Sequence, residues 1–264
     1  SAVSGYEGTT SAETDVTTYI TVENCIIHDV GKTEASKDLP GWPGFAKDHG
    51  IYVKGTNWTI RNNLFYDNKA GWDIMLRNHG PTVAGQKHGN HLVINNTFNA
   101  SNHHDVITLS PNRQGGIAVR SSSNVIRNNI IWVKNPTVGG AVYVLHADAA
   151  ETNNTIENTI TNCDTLVHWE NAPTDVGIIE SNNSLSTDPL FIDIGTHDYH
   201  LQQTSPAIDG GVATDAPFRD LDGNFRPFNS IFDIGAYELT EKLGVWYEFE
   251  EATLTTTADS SLNS

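Results

Sequence analysis

The sequence predicts an all-β solenoid, a single-stranded right-handed parallel β-helix, and three observations carry that reading. The first is an internal repeat. Lys54-Gly-Thr-Asn-Trp-Thr-Ile-Arg-Asn-Asn63, Lys87-His-Gly-Asn-His-Leu-Val-Ile-Asn-Asn96 and Arg120-Ser-Ser-Ser-Asn-Val-Ile-Arg-Asn-Asn129 begin 33 residues apart. Self-similarity at such a period marks a stack of equivalent units, because one short unit cannot bury its own apolar face. The second is composition. Among 264 residues stand 26 asparagines and 22 glycines, residues that favour turns over helix interiors. The third is that short runs of β-branched residues recur three to a repeat, and no stretch shows three turns of helical periodicity.

Each element follows from that frame. Val22-Glu-Asn-Cys-Ile-Ile27 is a weak first copy, and Thr155-Ile-Glu-Asn-Thr-Ile160 and Ile178-Ile-Glu-Ser-Asn-Asn183 are weak late ones. In each, one apolar strand runs into asparagine and a second strand follows, such as Leu64-Phe65 or Ile130-Ile131. The third strand comes from Gly50–Val53, Trp72–Leu76, Asp105–Leu109 or Gly116–Val119, Ala141–Val144 and Thr165–Trp169. Asparagine suits the bend because it tolerates a left-handed backbone and its amide can bond to the asparagines above and below. An antiparallel sandwich is the alternative. It needs hairpin turns every 8–12 residues, whereas Asn-Gly and Asp-Gly pairs are scarce here. Cys25 and Cys163 then fall about four coils apart, roughly 19 Å at the usual strand spacing, too far for a disulfide.

These coils are expected over residues 1–184, with a terminal closing segment at 185–240. That segment contains Asp188-Pro-Leu-Phe-Ile, Ser205-Pro-Ala-Ile-Asp-Gly-Gly211, Asp220-Leu-Asp-Gly-Asn-Phe-Arg-Pro227 and Asp233-Ile-Gly-Ala-Tyr-Glu238. It resembles the terminal segment of secreted bacterial β-helix proteins called choice-of-anchor Q proteins. The resemblance implies a secreted or cell-surface bacterial protein whose last coil is closed by this segment, and it implies no catalytic residues. An open β-helix end is a row of unpaired strand edges, so a cap is needed there. Residues 241–264 are expected to form a linker and the start of a further module. Val245-Trp-Tyr-Glu-Phe-Glu-Glu and Ala258-Asp-Ser-Ser-Leu-Asn-Ser resemble the opening of a laminin-G or concanavalin-like carbohydrate-binding jelly roll. The N-terminal residues carry no clear cap, which makes end-to-end self-association of coils an expected mode of assembly.

The charge pattern points to the partner. The chain carries a net charge of −17, which argues against nucleic acid, since phosphate contacts need clustered cations. No run approaches the ~20 apolar residues that span a bilayer, so no membrane insertion is expected. Yet residues 47–134 hold ten Lys and Arg against four acids, together with six of the eleven histidines. A cationic belt along stacked coils would draw in an extended polyanion, and a uronate polysaccharide fits its shape. Strand alternation turns Tyr52 and Lys54 outward opposite Ile51 and Val53. It likewise turns Asp73, Met75 and Arg77 outward opposite Ile74 and Leu76, and Arg120 outward beyond Val119.

Cleavage of a uronate by β-elimination needs one cation to neutralise the carboxylate, a base for the C5 proton and an acid for the leaving oxygen. Lys54, Arg77, His79, Asp73 and His88 are the candidates for those roles. Tyr52, Trp72, Lys87, Arg120 and His104 are candidate sugar contacts. The bland readings are that outward cations only solubilise the surface, that Trp58 and Trp72 only pack, and that Arg61 and Arg127 pair with neighbouring coils. His88 and His91 then sit exposed at a turn. Asp220, Asp222 and Asn224 resemble the start of a calcium loop, although no later glutamate follows. The cofactor expectation is accordingly none or Ca²⁺, and a turn held by aspartate side chains is the alternative. No motif of a known lyase or epimerase stands in the chain. A carbohydrate-binding or lyase-type module is therefore the leading expectation, against a structural or adhesive stalk.

Overall fold

The computed structural model describes residues 3–4, 18–30, 49–68, 72–77, 89–100, 116–133, 141–144, 153–169 and 177–240. Its strands wind as coils. The first holds β1 (Val3–Ser4), β2 (Thr21–Glu23) and β3 (Ile26–His28), and the second β4 (Ile51–Lys54), β5 (Thr59–Arg61) and β6 (Leu64–Tyr66). The third holds β7 (Ile74–Arg77), β8 (Leu92–Ile94) and β9 (Thr97–Ala100), and the fourth β10 (Ile117–Arg120), β11 (Val125–Arg127) and β12 (Ile130–Val133). The fifth holds β13 (Val142–Val144), β14 (Asn154–Glu157) and β15 (Ile160–Thr161), and the sixth β16 (Val167–Trp169) and β17 (Ile178–Ser181). Three parallel sheets result, in the orders β1-β4-β7-β10-β13-β16, β2-β5-β8-β11-β14-β17 and β3-β6-β9-β12-β15. The predicted solenoid is the observed one. Of the two alternatives for the fourth coil, Gly116–Val119 is the one seen as a strand, and residues 105–109 lie outside the described residues.

Alternation fills the interior. Ile51, Ile74, Ile117 and Val142 share one column of the first sheet and are fully buried. Phe65 and Phe98 are register partners in the third sheet, and their rings stack at 4.8 Å inside the helix. Each asparagine pair divides its labour. The first member takes the left-handed backbone, with φ of 57° at Asn62, 51° at Asn95 and 53° at Asn128. The second turns inward and builds a ladder. Asn63 N–H donates to Asn96 Oδ1 and Asn96 N–H to Asn129 Oδ1, each at 3.0 Å, and all three side chains are fully buried. These bonds satisfy turn N–H groups that the sheets cannot reach.

A second inner ladder stands at the corner between the first and second sheets. Trp58 N–H donates to His91 Nδ1 at 3.2 Å, His91 N–H to Asn124 Oδ1 at 3.1 Å, and Asn124 N–H to Asn154 Oδ1 at 3.0 Å. His91 is therefore a buried rung, not the exposed turn residue expected. Trp58 packs in the core. Arg61 and Arg127 pair with the neighbouring coil as expected, Arg61 with Glu23 and Arg127 with Glu157, each at 2.6 Å. Both cysteines are free.

The closing segment begins as a continuation of the last coil, where Ser184 pairs with Ile160. It then leaves the end and runs back along the side of the solenoid. It opens with an antiparallel pair, β18 (Phe191–Asp193) and β19 (Asp198–Leu201), joined through a 3-10 turn at Ile194–Thr196. Phe191, Tyr199, Leu201, Ala207, Ile234, Ala236 and Tyr237 pack on Leu64, Ile130 and Ile160 of the third sheet. Beyond its start on the last coil, the segment covers the side of the solenoid. The physical reason lies in the apolar pairs Leu64-Phe65 and Ile130-Ile131, in which one side chain faces the core and the next faces out and needs cover. The left-handed asparagines hold the segment by its backbone. Asn62 Nδ2 donates to Arg219 O at 3.1 Å, Asn95 Nδ2 to Asp233 O at 3.1 Å, Asn128 Nδ2 to Val212 O at 2.8 Å and Asn158 Nδ2 to Gly210 O at 3.2 Å. Residues 241–264, where the jelly-roll resemblance falls, lie outside the described residues.

Candidate functional site

The first sheet brings three of the expected cations together. Lys54 is the register partner of Arg77, and Arg77 of Arg120, so the three occupy one column at the ends of β4, β7 and β10. Strands stack about 4.8 Å apart, so one cationic residue stands on each of three successive rungs. Their sequence spacing is uneven because the coils differ in length between strands. The 33-residue repeat aligns Lys87, not Arg77, with Lys54, yet the strand register selects Arg77.

The neighbouring outward column is apolar. Tyr52 aligns with Met75, and Met75 with Ala118. Trp72, Met75 and Ala118 form a small buried cluster with Tyr52 packed against it. His49 stacks on Tyr52 at 5.5 Å and on Trp72 at 5.6 Å, and its Nδ1 accepts the Trp72 N–H at 3.0 Å. That bond places the proton of a neutral His49 on Nε2.

Several expected roles change with this geometry. Trp72 is 4% exposed and is packed, so it is not an open sugar platform. Lys54 is 7% exposed, not a free surface cation, and is already engaged. Arg77 is half-buried, and its Nε is buried with no hydrogen-bond partner among the described residues. Asp73 is fully buried and accepts from Asn68 Nδ2 at 2.6 Å. It stands just before β7, at the opposite end from Arg77, and four residues of strand separate the two by roughly 13 Å. The acid and the cations expected together are thus held apart. His79, His88, Lys87 and His104 lie outside the described residues.

The fold and this column fit the comparison with known families. Residues 5–188 match the family model described as "Right handed beta helix region". The chain belongs to this family. No curated protein matches it.

In this right-handed β-helix the residues proposed for calcium serve the closing segment. Asp220 Oδ1 accepts from Asn224 N–H at 2.7 Å, and its Oδ2 accepts from Asn224 Nδ2 at 3.0 Å and Glu238 N–H at 3.1 Å. Asp222 Oδ2 lies 2.7 Å from His200 Nε2. The loop is a turn organised by aspartate side chains. Arg226 is buried beneath it and donates to Gly235 O at 2.8 Å, with Glu238 Oε2 at 3.7 Å from its Nε. Burial pulls the Arg226 pKa down, against the opposing pull of Glu238, Asp220 and Asp233. Burial also raises the carboxyl pKa of Asp233 and Glu238, which backbone N–H donors offset in part.

Sequence reasoning passed over one group of chemistry-bearing side chains, the histidines where this segment meets the solenoid. His28 and His197 stack on either side of Tyr66, at 4.9 and 4.5 Å. His197 Nε2 lies 2.7 Å from Asp67 Oδ2. His200 sits between Asp198 at 2.5 Å and Asp222, with Tyr237 against its ring. Burial lowers the His200 pKa, but the two carboxylates outweigh it and the net shift is upward. The signal was present in Asp198-Tyr-His200, where one strand face carries both the acid and the base.

Proposed function

We propose that this β-helix engages acidic polysaccharide at the outer face of its first sheet, as a secreted or cell-surface module. The observation that carries the reading is the in-register column Lys54–Arg77–Arg120. A display stalk would scatter its cations over separate faces, and a column instead presents a linear field to a linear polyanion. Arg77 is the contact, since a planar guanidinium pairs with a carboxylate through two parallel hydrogen bonds. Lys54, buried beside it, adds to the local potential. The resemblance of the closing segment to choice-of-anchor Q proteins supports the extracellular setting.

Binding is the role that the cation column itself supports. β-Elimination needs an acid or base within hydrogen-bond reach of the atoms that exchange protons. Asp73 stands a strand's length from Arg77 and is held by Asn68. The test is retention of the parent protein and Arg77→Gln on immobilised alginate and pectate, with ultraviolet absorbance of the eluted sugar followed in parallel. The expected result is retention that weakens with salt and with Arg77→Gln, and no unsaturated sugar. Equal retention of parent and variant would overturn the site, and new absorbance would make the protein a lyase.

A further inference from the structure

Beside the cation column run two further rows along the helix axis. The nearer is Thr56, Gly89 and Ser122, joined rung to rung by parallel bridges. Gly89 has φ of +137°, and a Cβ there would lie 1.9 Å from Ser122 O, so this row is held close by glycine. The farther row consists of left-handed residues: Tyr19, Asn57, Asn90 and Ser123, each at φ 59°, and Asn153 at 64°. Asn90 and Asn153 are exposed, Asn57 is half-buried, and Tyr19 is 80% exposed. Asn90 Nδ2 donates to Asn57 Oδ1, so these amides align along the axis.

The opposite corner demonstrates what such a row does. There the left-handed Asn62, Asn95, Asn128 and Asn158 each donate to a chain lying against the solenoid. Asn128 also accepts from Val212 N–H at 3.1 Å, so its amide uses both donor and acceptor. The row Asn57–Asn90–Asn153 repeats that backbone geometry on the corner next to the cations.

We propose that Asn57, Asn90 and Asn153 form the second wall of the polysaccharide site and set its ligand class. The ligand is a chain of uronate residues lying along the helix axis, with carboxylates towards Arg77 and ring hydroxyls towards the amides. This rests on the reading given under Proposed function. Rungs stand about 4.8 Å apart, close to the length of one sugar residue in an extended chain, so the register is one sugar per rung. From Tyr19 to Asn153 the row spans the first five coils.

The experiment is calorimetric titration with oligouronates of increasing length, and with polyglutamate as a probe that carries carboxylates and no hydroxyls. The variants are Arg77→Gln and the double variant Asn90→Gly/Asn153→Gly. Glycine keeps the left-handed backbone while removing the amide, and unchanged melting confirms that the fold survives. Affinity should rise with length up to about five sugars, one per rung, and then level off. The double variant should lose about tenfold on uronates, the worth of one or two hydrogen bonds, and nothing on polyglutamate. Full affinity in the double variant, with Arg77→Gln still impaired, would overturn the second wall and leave the binding reading standing. Polyglutamate bound as tightly as the uronates would overturn the ligand class. No binding of any uronate by the parent would overturn both.

Discussion

Replacing Asn96 by alanine should cost this β-helix more than removing any surface charge. Asn96 Oδ1 accepts from both N–H and Nδ2 of Asn63, at 3.0 Å each. Its Nδ2 donates to Ile60 O at 3.0 Å, Ile94 O at 3.2 Å and Asn129 Oδ1 at 3.1 Å. In the alanine variant the Asn63 N–H loses this acceptor inside a fully buried turn, while Asn63 Nδ2 keeps Val22 O at 3.0 Å. An orphaned buried donor costs about 1–3 kcal/mol, and each further net hydrogen bond lost adds about 0.5–1.5 kcal/mol. The expected loss is about 3–9 kcal/mol, a large fraction of the 5–15 kcal/mol typical of a domain. Urea unfolding followed by circular dichroism measures it, with Asn95→Gly as the comparison. That variant keeps the left-handed backbone and loses the bonds to Asp233 O and Gly235 O and the acceptor of Asn128 Nδ2, so about 1–2 kcal/mol is expected. A loss below about 1 kcal/mol for Asn96→Ala would refute the ladder as a determinant of stability.

Three further outcomes follow from the same geometry. Asp222→Asn should flatten the pH dependence of melting. The His200 pKa is raised from its ordinary value of 6.5, so its contribution is full below that value and fades as pH rises through the shifted one. The variant should therefore melt below the parent at acid pH, with the gap closing in mild alkali, and a gap constant with pH would contradict the pairing. Gly89→Ala should destabilise by at least the about 1–3 kcal/mol of a forced backbone conformation, because its Cβ also meets Ser122 O; denaturant unfolding reads this directly. Spectrophotometric titration should find the Tyr199 phenol ionising near pH 12, since burial raises it to about 12 and the bond from Asn99 offsets only part.

The solenoid was legible because its repeat is local and one-dimensional. The pairs Asn62-Asn63, Asn95-Asn96 and Asn128-Asn129 keep their 33-residue spacing at a corner where no loop is inserted. The strand in the first sheet drifts, since the chain between Arg77 and Gly89 is longer than that between Lys54 and Thr56. Hence Arg77 rather than Lys87 shares the column of Lys54. His91 could have been placed from the alignment, as it stands where the other copies carry Trp58 and Asn124, both inner rungs. The lateral course of the closing segment was not legible. Its anchors are backbone oxygens such as Arg219 O and Val212 O, and a carbonyl leaves no trace in side-chain identity. The burial of Lys54 and Trp72 escaped for a related reason. Alternation says which way a side chain points, not what covers it.

The most direct measurement is a crystal structure of the protein soaked with a tetrauronate. A sugar carboxylate should pair with the Arg77 guanidinium on the outer face of the first sheet, with the chain running along the helix axis beside Asn90. A ligand seated elsewhere on the solenoid, or lying across the axis with no contact to Arg77, would contradict the proposed site.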